Sequence, residues 1–382
     1  MFVSVVRESN SRERRVALTP DGVVKLRAAG HTVMSESGCG AAAGFGDELY
    51  RRAQASVVDR DTLLAAGGVV VGIDVVRSGV NDSHVLIGNA DPLWRANETA
   101  SLARTGAAVL SLELVPRITR AQTMDVLSSM ASIAGYEAVL LAASELPRML
   151  PMMMTAAGTI PATRTVVLGA GVAGLQAIAT ARRLGSVVEA YDVRPATAEQ
   201  IESVGGRSIQ LDLDTTGSED TGGYAKAQDE DVNLRQQRLL TPYVAGADIV
   251  ITTAAIPGMK SPELITAAMV EGMKPGSVIV DLAAERGGNC ALTVADEIVH
   301  HHGIRIFGPT DLESRSAATA SQLFSNNVVN LLKHLTDDGG EIRLDTEDEI
   351  TAGTLVAHNG AVVHPRVLGA LGSDPVPPPE DS

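Results

Sequence analysis

Of the 382 residues only two are cysteine and 3% are aromatic, and 31 Lys+Arg face 46 Asp+Glu, for a net charge of −15. Cys39 and Cys290 cannot build a disulfide framework and supply too few thiolates for a structural zinc site, which points to a reducing compartment. An acidic chain poor in aromatics lacks both the basic stripes and the stacking faces that nucleic-acid binding needs. Long apolar runs are scarce as well. The N-terminus becomes charged at Arg7, too early for a secretory signal. The longest charge-free apolar-looking run, between Arg164 and Arg182, is shorter than the ~20 residues of a spanning helix and is broken by Gly169, Gly171 and Gly174. The chain is therefore not expected to cross a bilayer by itself.

What is abundant is small and apolar: hydrophobic residues make up 45% and glycine numbers 37, enough for a sizeable core and against wholesale disorder. At ~150 residues per domain, the length fits two domains or one large α/β unit. Short β-rich runs (Phe2–Arg7, His31–Glu36, Val69–Val76, Ala107–Glu113) alternate with helix-like segments. Pro20 and Asp21 open one of these segments and Gly30 closes it. Met124–Leu146 reads as one long helix. Further on, strands are expected at Val166–Leu168, Val187–Asp192, Asp248–Thr253, Ser277–Leu282 and Gly303–Phe307, and helices at Val172–Leu184 and Ser321–Leu335. Strand, helix, strand at this spacing predicts parallel sheets covered on both faces, in two α/β domains. No internal repeat is visible, and the terminal Pro375–Pro379 stretch reads as a mobile end.

Gly169-Ala170-Gly171-Val172-Ala173-Gly174 fits G-x-G-x-x-G, after an expected strand and at the start of an expected helix. The first glycine permits a tight turn, the second lets a pyrophosphate approach the backbone, and the third lets helix pack on strand. The helix start offers free N–H groups and a positive dipole end to phosphates. Asp192 closes the next strand, where an acid accepts from adenosine ribose hydroxyls and favours NAD over NADP; Arg194, close behind it, tempers that preference.

With this motif placed, the flanking sequence is recognisable. Pro151-Met152-Met153-Met154-Thr155-Ala156-Ala157-Gly158, Leu175–Ala181, Arg117-Ile118-Thr119-Arg120-Ala121-Gln122-Thr123-Met124-Asp125, Gly222-Gly223-Tyr224-Ala225-Lys226 and Lys274–Ala283 resemble the soluble NAD(H)-binding domain of proton-translocating NAD(P) transhydrogenase. The likeness runs from the N-terminus to about Pro365. Alanine dehydrogenase is the nearest cousin, sharing Arg15-Val16-Ala17-Leu18-Thr19-Pro20 and Ile256-Pro257-Gly258.

The resemblance implies two Rossmann-like doubly wound lobes, the first discontinuous (residues 1–128 with 312–382) and the second, over 129–311, holding NAD(H). It also implies an α subunit that passes hydride directly between NADH and NADP⁺, the NADP(H) being bound on a partner subunit. A membrane subunit would couple that step to proton movement. The chain would be a homodimer, held at the cytoplasmic face of the inner membrane through its partners. Carried over by position, Arg117, Gln122, Asp125 and Ser128 steady the nicotinamide end, with Ile118 and Thr119 beside them. Val172, Asp192, Val193 and Arg194 meet pyrophosphate, ribose and adenine, and Gln236 and Ala255 are further nucleotide contacts. Gly223 and Tyr224 fall in a loop that closes over the nucleotide; Gln228 replaces a Met there, and Ala255 is smaller than the usual Leu.

Plainer readings stand beside these. From spacing alone, Arg117, Gln122, Asp125 and Ser128 form a solvated loop and a helix start, where Ser and Asp are common caps. Met152–Met154 read as packing, and Cys290, without a base nearby, as structural. His300-His301-His302, taken as helical, would point about 100° apart and hold no metal. An alanine dehydrogenase needs a proton shuttle, and the runs Val69–Asp74 and Val85–Asn89 lack the cousin's Lys and His, although Arg15 remains to grip a carboxylate and Glu285 stands at an acid position. A non-catalytic NAD-binding module is the third reading. The acidity is concentrated: residues 211–231 carry −6 and residues 337–382 carry −8, and both segments are expected to be exposed.

Overall fold

The structure, a computed structural model, describes residues 1–213, 230–337 and 339–372. The chain divides into two compact units, one made of Met1–Met130 with Glu313–Ser382 and the other of Ala131–Leu312. The first six strands are β1 (Phe2–Val5), β2 (Thr32–Glu36), β3 (Ser56–Val58), β4 (Gly68–Asp74), β5 (His84–Asn89) and β6 (Ala108–Ser111). The second unit adds β7 (Met153–Thr155), β8 (Gly158–Ile160), β9 (Arg164–Leu168), β10 (Val187–Tyr191) and β11 (Arg207–Ser208). It continues with β12 (Ile249–Thr252), β13 (Val278–Asp281), β14 (Ile298–His301) and β15 (Ile304–Phe307). The chain ends in the first unit with β16 (Leu355–His358) and β17 (Ala361–Val362).

The first sheet runs β17-β16-β6-β5-β4-β1-β2-β3 and the second β11-β10-β9-β12-β13-β15-β14. Both are doubly wound: the order departs from the first strand of the sheet, β1 or β9, in both directions, and all pairs are parallel apart from those of β16, β17 and β14 toward the edges. Parallel strands covered on both faces read as continuous apolar runs, and Val69, Val70 and Val71 are indeed at most 2% exposed. In the second sheet the strand period of two divides each strand between two cores. Val167 and Ile251 join the cluster with Ala177 and Ile178, while Val166, Leu168 and Val250 join that of Leu240 and Val244. Each such side chain contributes about 1.5–3 kcal/mol of burial.

Helix Pro20–Ala28 starts as its sequence signals: the Thr19 side chain accepts from the Gly22 N–H, proline sits at the first position, and Gly30 follows at φ +87°. Helix Val126–Glu145 is the one described helix long and apolar enough to cross a membrane, yet Ala138, Val139 and Ala142 are fully buried in the protein core.

Three expectations are corrected. The acidic C-terminal segment is not uniformly exposed: Leu355, Val356 and Ala357 are at most 1% exposed, because β16 pairs antiparallel with β6 and extends the first sheet. Its last residues, 373–382, lie outside the described residues, as do 214–229 of the other acidic segment. The methionine run does not pack inward. Met152 and Met154 are 63% and 73% exposed, on and beside the β7–β8 hairpin. His300–His302 are not helical either; they end β14 and form the turn into β15.

Candidate functional site

The second sheet reverses its strand order between β9 and β12, and open α/β sheets bind ligands outside the carboxyl ends of strands at such a reversal. The glycine motif leaves the end of β9 there. Gly169 sits at φ +100°, a conformation that disfavours any side chain. Its carbonyl accepts from the Thr253 hydroxyl at 3.0 Å, at the end of β12. A Cβ on Gly174 would stand 1.9 Å from the Gly169 carbonyl oxygen, so helix Val172–Arg183 approaches the strand as closely as it does only with glycine at that position. At Gly171 the opposite holds, with no described atom within 4 Å of a Cβ. The helix starts beyond it with no side chain among the described residues capping its N–H groups, and Val172 is 38% exposed on the first turn. A closed turn, an open second glycine and an uncapped helix start fit a diphosphate.

Asp192 does double duty. Its Oδ2 accepts from the Ala170 N–H at 2.7 Å and pins the glycine loop to the end of β10. Oδ1 accepts from the Arg194 N–H and Nε, and Oδ2 from the Arg194 guanidinium as well, each at 2.9 Å. A carboxylate offers about four accepting positions, and all of them are engaged. Ribose hydroxyls therefore reach Asp192 only when Arg194 gives up part of this pairing. Val193, between the two, is half-buried.

On the β12 side, Ala255 is exposed in the loop beyond Thr253, and Gln236 is buried at 4% exposure in helix Glu230–Gly246. Sequence reasoning missed what fixes that loop. The fully buried Asn289 amide accepts from the Ala254 N–H at 3.0 Å and donates to the carbonyls of Ala254 and Pro262, each at 2.8 Å. Asn289 is itself held by Asp281 at the end of β13, which accepts from the N–H groups of Ala283, Asn289 and Cys290 and from the Thr293 hydroxyl. Gly287-Gly288-Asn289 after a strand announces a turn, but only the fold reveals what the amide grips. Burial pushes the adjacent Cys290 thiol up to about 11, so it stays protonated and inert.

The residues read as the nicotinamide set lie in the first unit. Thr119–Met124 is a 3₁₀ turn anchored by buried Ala121 and Met124, which leaves Gln122 exposed, as is Arg117; Ile118 precedes the turn half-buried. Asp125 caps the long helix: Oδ1 accepts from the Ser128 N–H at 2.9 Å and Oδ2 from the Ser128 hydroxyl at 2.6 Å. Asn327 and Asn330, from helix Ala317–Leu335, both donate to the Thr123 carbonyl and set the turn's position; neither was legible in the sequence. Gly223 and Tyr224 lie outside the described residues.

The first unit has its own order reversal, between β1 and β4, and ionisable side chains gather beside it. Arg15 is held by Glu13 through two contacts, at 2.8 and 2.6 Å. Burial opposes both charges, but the pairing wins: Glu13 is held below and Arg15 above its usual range. Glu8 accepts from the Ile73 and Asp74 N–H groups, and burial pushes its carboxyl up to about 8. Asp74, exposed at the end of β4, is also raised, by partial desolvation and then by the Glu13 charge. The cation read as a carboxylate grip is already taken, with acids around it. Glu285 is solvent-exposed, its side chain 63% accessible.

Comparison with known proteins agrees with this architecture. The family described as Alanine dehydrogenase/PNT matches through its N-terminal domain over residues 4–134 and its C-terminal domain over residues 138–365. An NAD(P) transhydrogenase subunit alpha polypeptide of Rhodospirillum rubrum is 43% identical, over 97% of this chain and 99% of its own. The alanine dehydrogenase of Bacillus subtilis is 26% identical over 99% and 96% of the two chains. Among solved structures, transhydrogenase from Sinorhizobium meliloti superposes with a TM-score of 0.85 at 42% identity, covering 95% of this chain and all of that one. With both domains matched in order and a transhydrogenase subunit aligned end to end, the chain belongs to the alanine dehydrogenase/PNT family.

Proposed function

We propose that this chain is the NAD(H)-binding subunit of a proton-translocating NAD(P)⁺ transhydrogenase, exchanging hydride directly between NADH and NADP⁺ bound on a partner subunit. The observation that carries the reading is the contrast between the two order reversals. One offers backbone amides to a diphosphate; the other is lined by Glu8, Glu13, Arg15 and Asp74, and its Arg15 is already committed to Glu13 rather than offered to a substrate carboxylate. Oxidation of an amino acid needs a carboxylate grip and a proton shuttle, whereas transfer between two nicotinamides needs positioning alone.

In this reading the first turn of helix Val172–Arg183 takes the pyrophosphate and Asp192 the adenosine ribose, with Val193 and Arg194 against the adenine side. Gln236 and Ala255 complete the nucleotide contacts. The bound nicotinamide supplies the hydride. Arg117, Gln122, Asp125 and Ser128 hold that end of the nucleotide, with Ile118 and Thr119 beside them: the Gln122 carboxamide donates and accepts hydrogen bonds without moving a proton, and the Asp125 cap keeps the turn in place. Gly223 and Tyr224 close over the nucleotide and exclude water. A homodimer of this chain sits at the cytoplasmic face of the inner membrane, docked on membrane-spanning and NADP(H)-binding subunits that couple transfer to proton movement.

Gln122→Asn tests the positioning role. Shortening the carboxamide by one methylene is expected to slow hydride transfer at least about tenfold while the NADH dissociation constant changes less than about threefold. Equal losses in binding and rate would contradict it. Formation of NADH from alanine and NAD⁺ by the purified chain would favour the alanine dehydrogenase reading instead.

A further inference from the structure

We propose that Glu271, His301 and His302 form a divalent transition-metal site, of zinc type, on the edge of the second unit. The outermost strand of that sheet, β14, meets β15 in a two-residue hairpin whose register pairs His301 with Ile304. The loop residues are His302 at φ +49° and Gly303 at φ +77°, the left-handed pair a tight hairpin requires. Among residues with a side chain, His is one of the few, with Asn and Asp, that take that conformation readily. Here it turns the second imidazole toward the same carboxylate as the first.

Glu271 closes the short helix Ala267–Glu271, and both imidazoles converge on its Oε1. His301 Nε2 stands 3.2 Å away and His302 Nε2 3.9 Å, with ring centroids 4.6 Å apart. The three ligating atoms all lie within 4.8 Å of one another. In a tetrahedral zinc site with bonds of about 2.0–2.2 Å, ligand atoms stand about 3.3 Å apart. Side-chain rotation of less than about 1.5 Å therefore brings these atoms onto one ion. The side chains are 30–59% accessible, so an ion enters freely and a water completes the fourth position. Two imidazoles and one carboxylate select zinc-like ions over magnesium or calcium, which prefer all-oxygen shells.

The hairpin leads into the amino end of β15, whereas the glycine motif leaves the carboxyl end of β9, and the two strands run in the same direction. The metal site is thus on the opposite margin of the sheet from the nucleotide cradle. Its effect is to staple the outermost hairpin to the end of a helix, and it takes no part in hydride transfer.

The probe is zinc chloride titrated into the metal-stripped full chain by calorimetry, alongside thermal unfolding. One zinc per chain is expected, with a rise in unfolding midpoint that grows with zinc concentration. His301→Gln, His302→Asn and Glu271→Gln are each expected to weaken zinc at least about tenfold, since changes even to supporting residues cost about 10–100-fold. Asparagine tolerates the left-handed turn, so the His302 variant keeps the hairpin. His300→Gln, whose ring is outside the cluster, is expected to bind zinc within about twofold of the parent, and NADH affinity is expected to be unchanged throughout. Zinc binding that survives His302→Asn and Glu271→Gln, or no zinc-dependent rise in midpoint in the parent chain, would overturn the proposal.

Discussion

The two units share a strand plan and fill it differently. In each, the sheet reverses order beside its first strand, β1 in one and β9 in the other, and a crevice opens at the carboxyl ends. In the second unit that place is built from backbone: three glycines, an uncapped helix start, and side chains such as Asp192 and Asn289 that hold loops from behind. In the first it is built from charge, with Arg15 locked to Glu13 and Glu8 spanning the N–H groups of Ile73 and Asp74. One topology thus makes either an anion cradle or a crevice lined by an ion pair and carboxylates. The difference lies in whether the turn after the first strand presents amides or carboxylates.

Gly174→Ala should break the contrast most completely. A Cβ 1.9 Å from the Gly169 carbonyl oxygen forces helix and loop apart, and NADH affinity is expected to fall by about 100-fold, or ~2.7 kcal/mol. Fluorescence titration, with circular dichroism confirming the fold, measures it; a loss under fivefold would mean that the loop has slack. Next in size is Arg15→Met, which leaves the Glu13 carboxylate without its partner and is expected to cost about 2.5 kcal/mol in urea unfolding, less than a fully buried pair because both side chains stay partly accessible. NADH affinity should stay within about twofold of the parent; a parallel loss of affinity would tie this crevice to the nucleotide.

Asn289→Ala strips the half-buried Ala254 amide and two carbonyls of their partners, for about 2 kcal/mol of stability and a several-fold weaker NADH complex. Stability lost with no change in NADH affinity would limit the clamp to a structural role. Glu8→Gln should act least and with a pH signature. Its folded carboxyl titrates near 8 against 4.5 in the unfolded chain, so below 4.5 both states are protonated and Glu8 contributes nothing. Between 4.5 and 8 the unfolded state ionises first, so the parent loses stability as pH rises, by about 1–2 kcal/mol for this half-buried group. The glutamine variant lacks that slope, and a stability difference independent of pH would contradict the assignment.

The α/β class and the doubly wound sheets were legible because buried parallel strands are continuous apolar runs, such as Val69-Val70-Val71, and because the glycine spacing comes from backbone geometry. What escaped was non-local. Leu355–His358 is a full strand of the first sheet, but its four residues sit in an acidic segment and find their partner, β6, some 245 residues earlier. The histidine run misleads because three polar residues carry no period, and the hairpin shows only in its pairing with β15. Asn289 and Asn327 act through backbone groups far away in the chain. Asp125 and Ser128 were legible as a helix cap, and the cap is what their mutual hydrogen bonds form.

In the proposed function, hydride passes intact between two nicotinamides with no proton shuttle at this chain. NADH deuterated at the transferable C4 position, mixed with this chain and its NADP(H)-binding partner in the presence of NADP⁺, tests it most directly. The expected product is NADPH that carries the deuterium, with none released to water. NADPH without label, or no exchange at all, would contradict it.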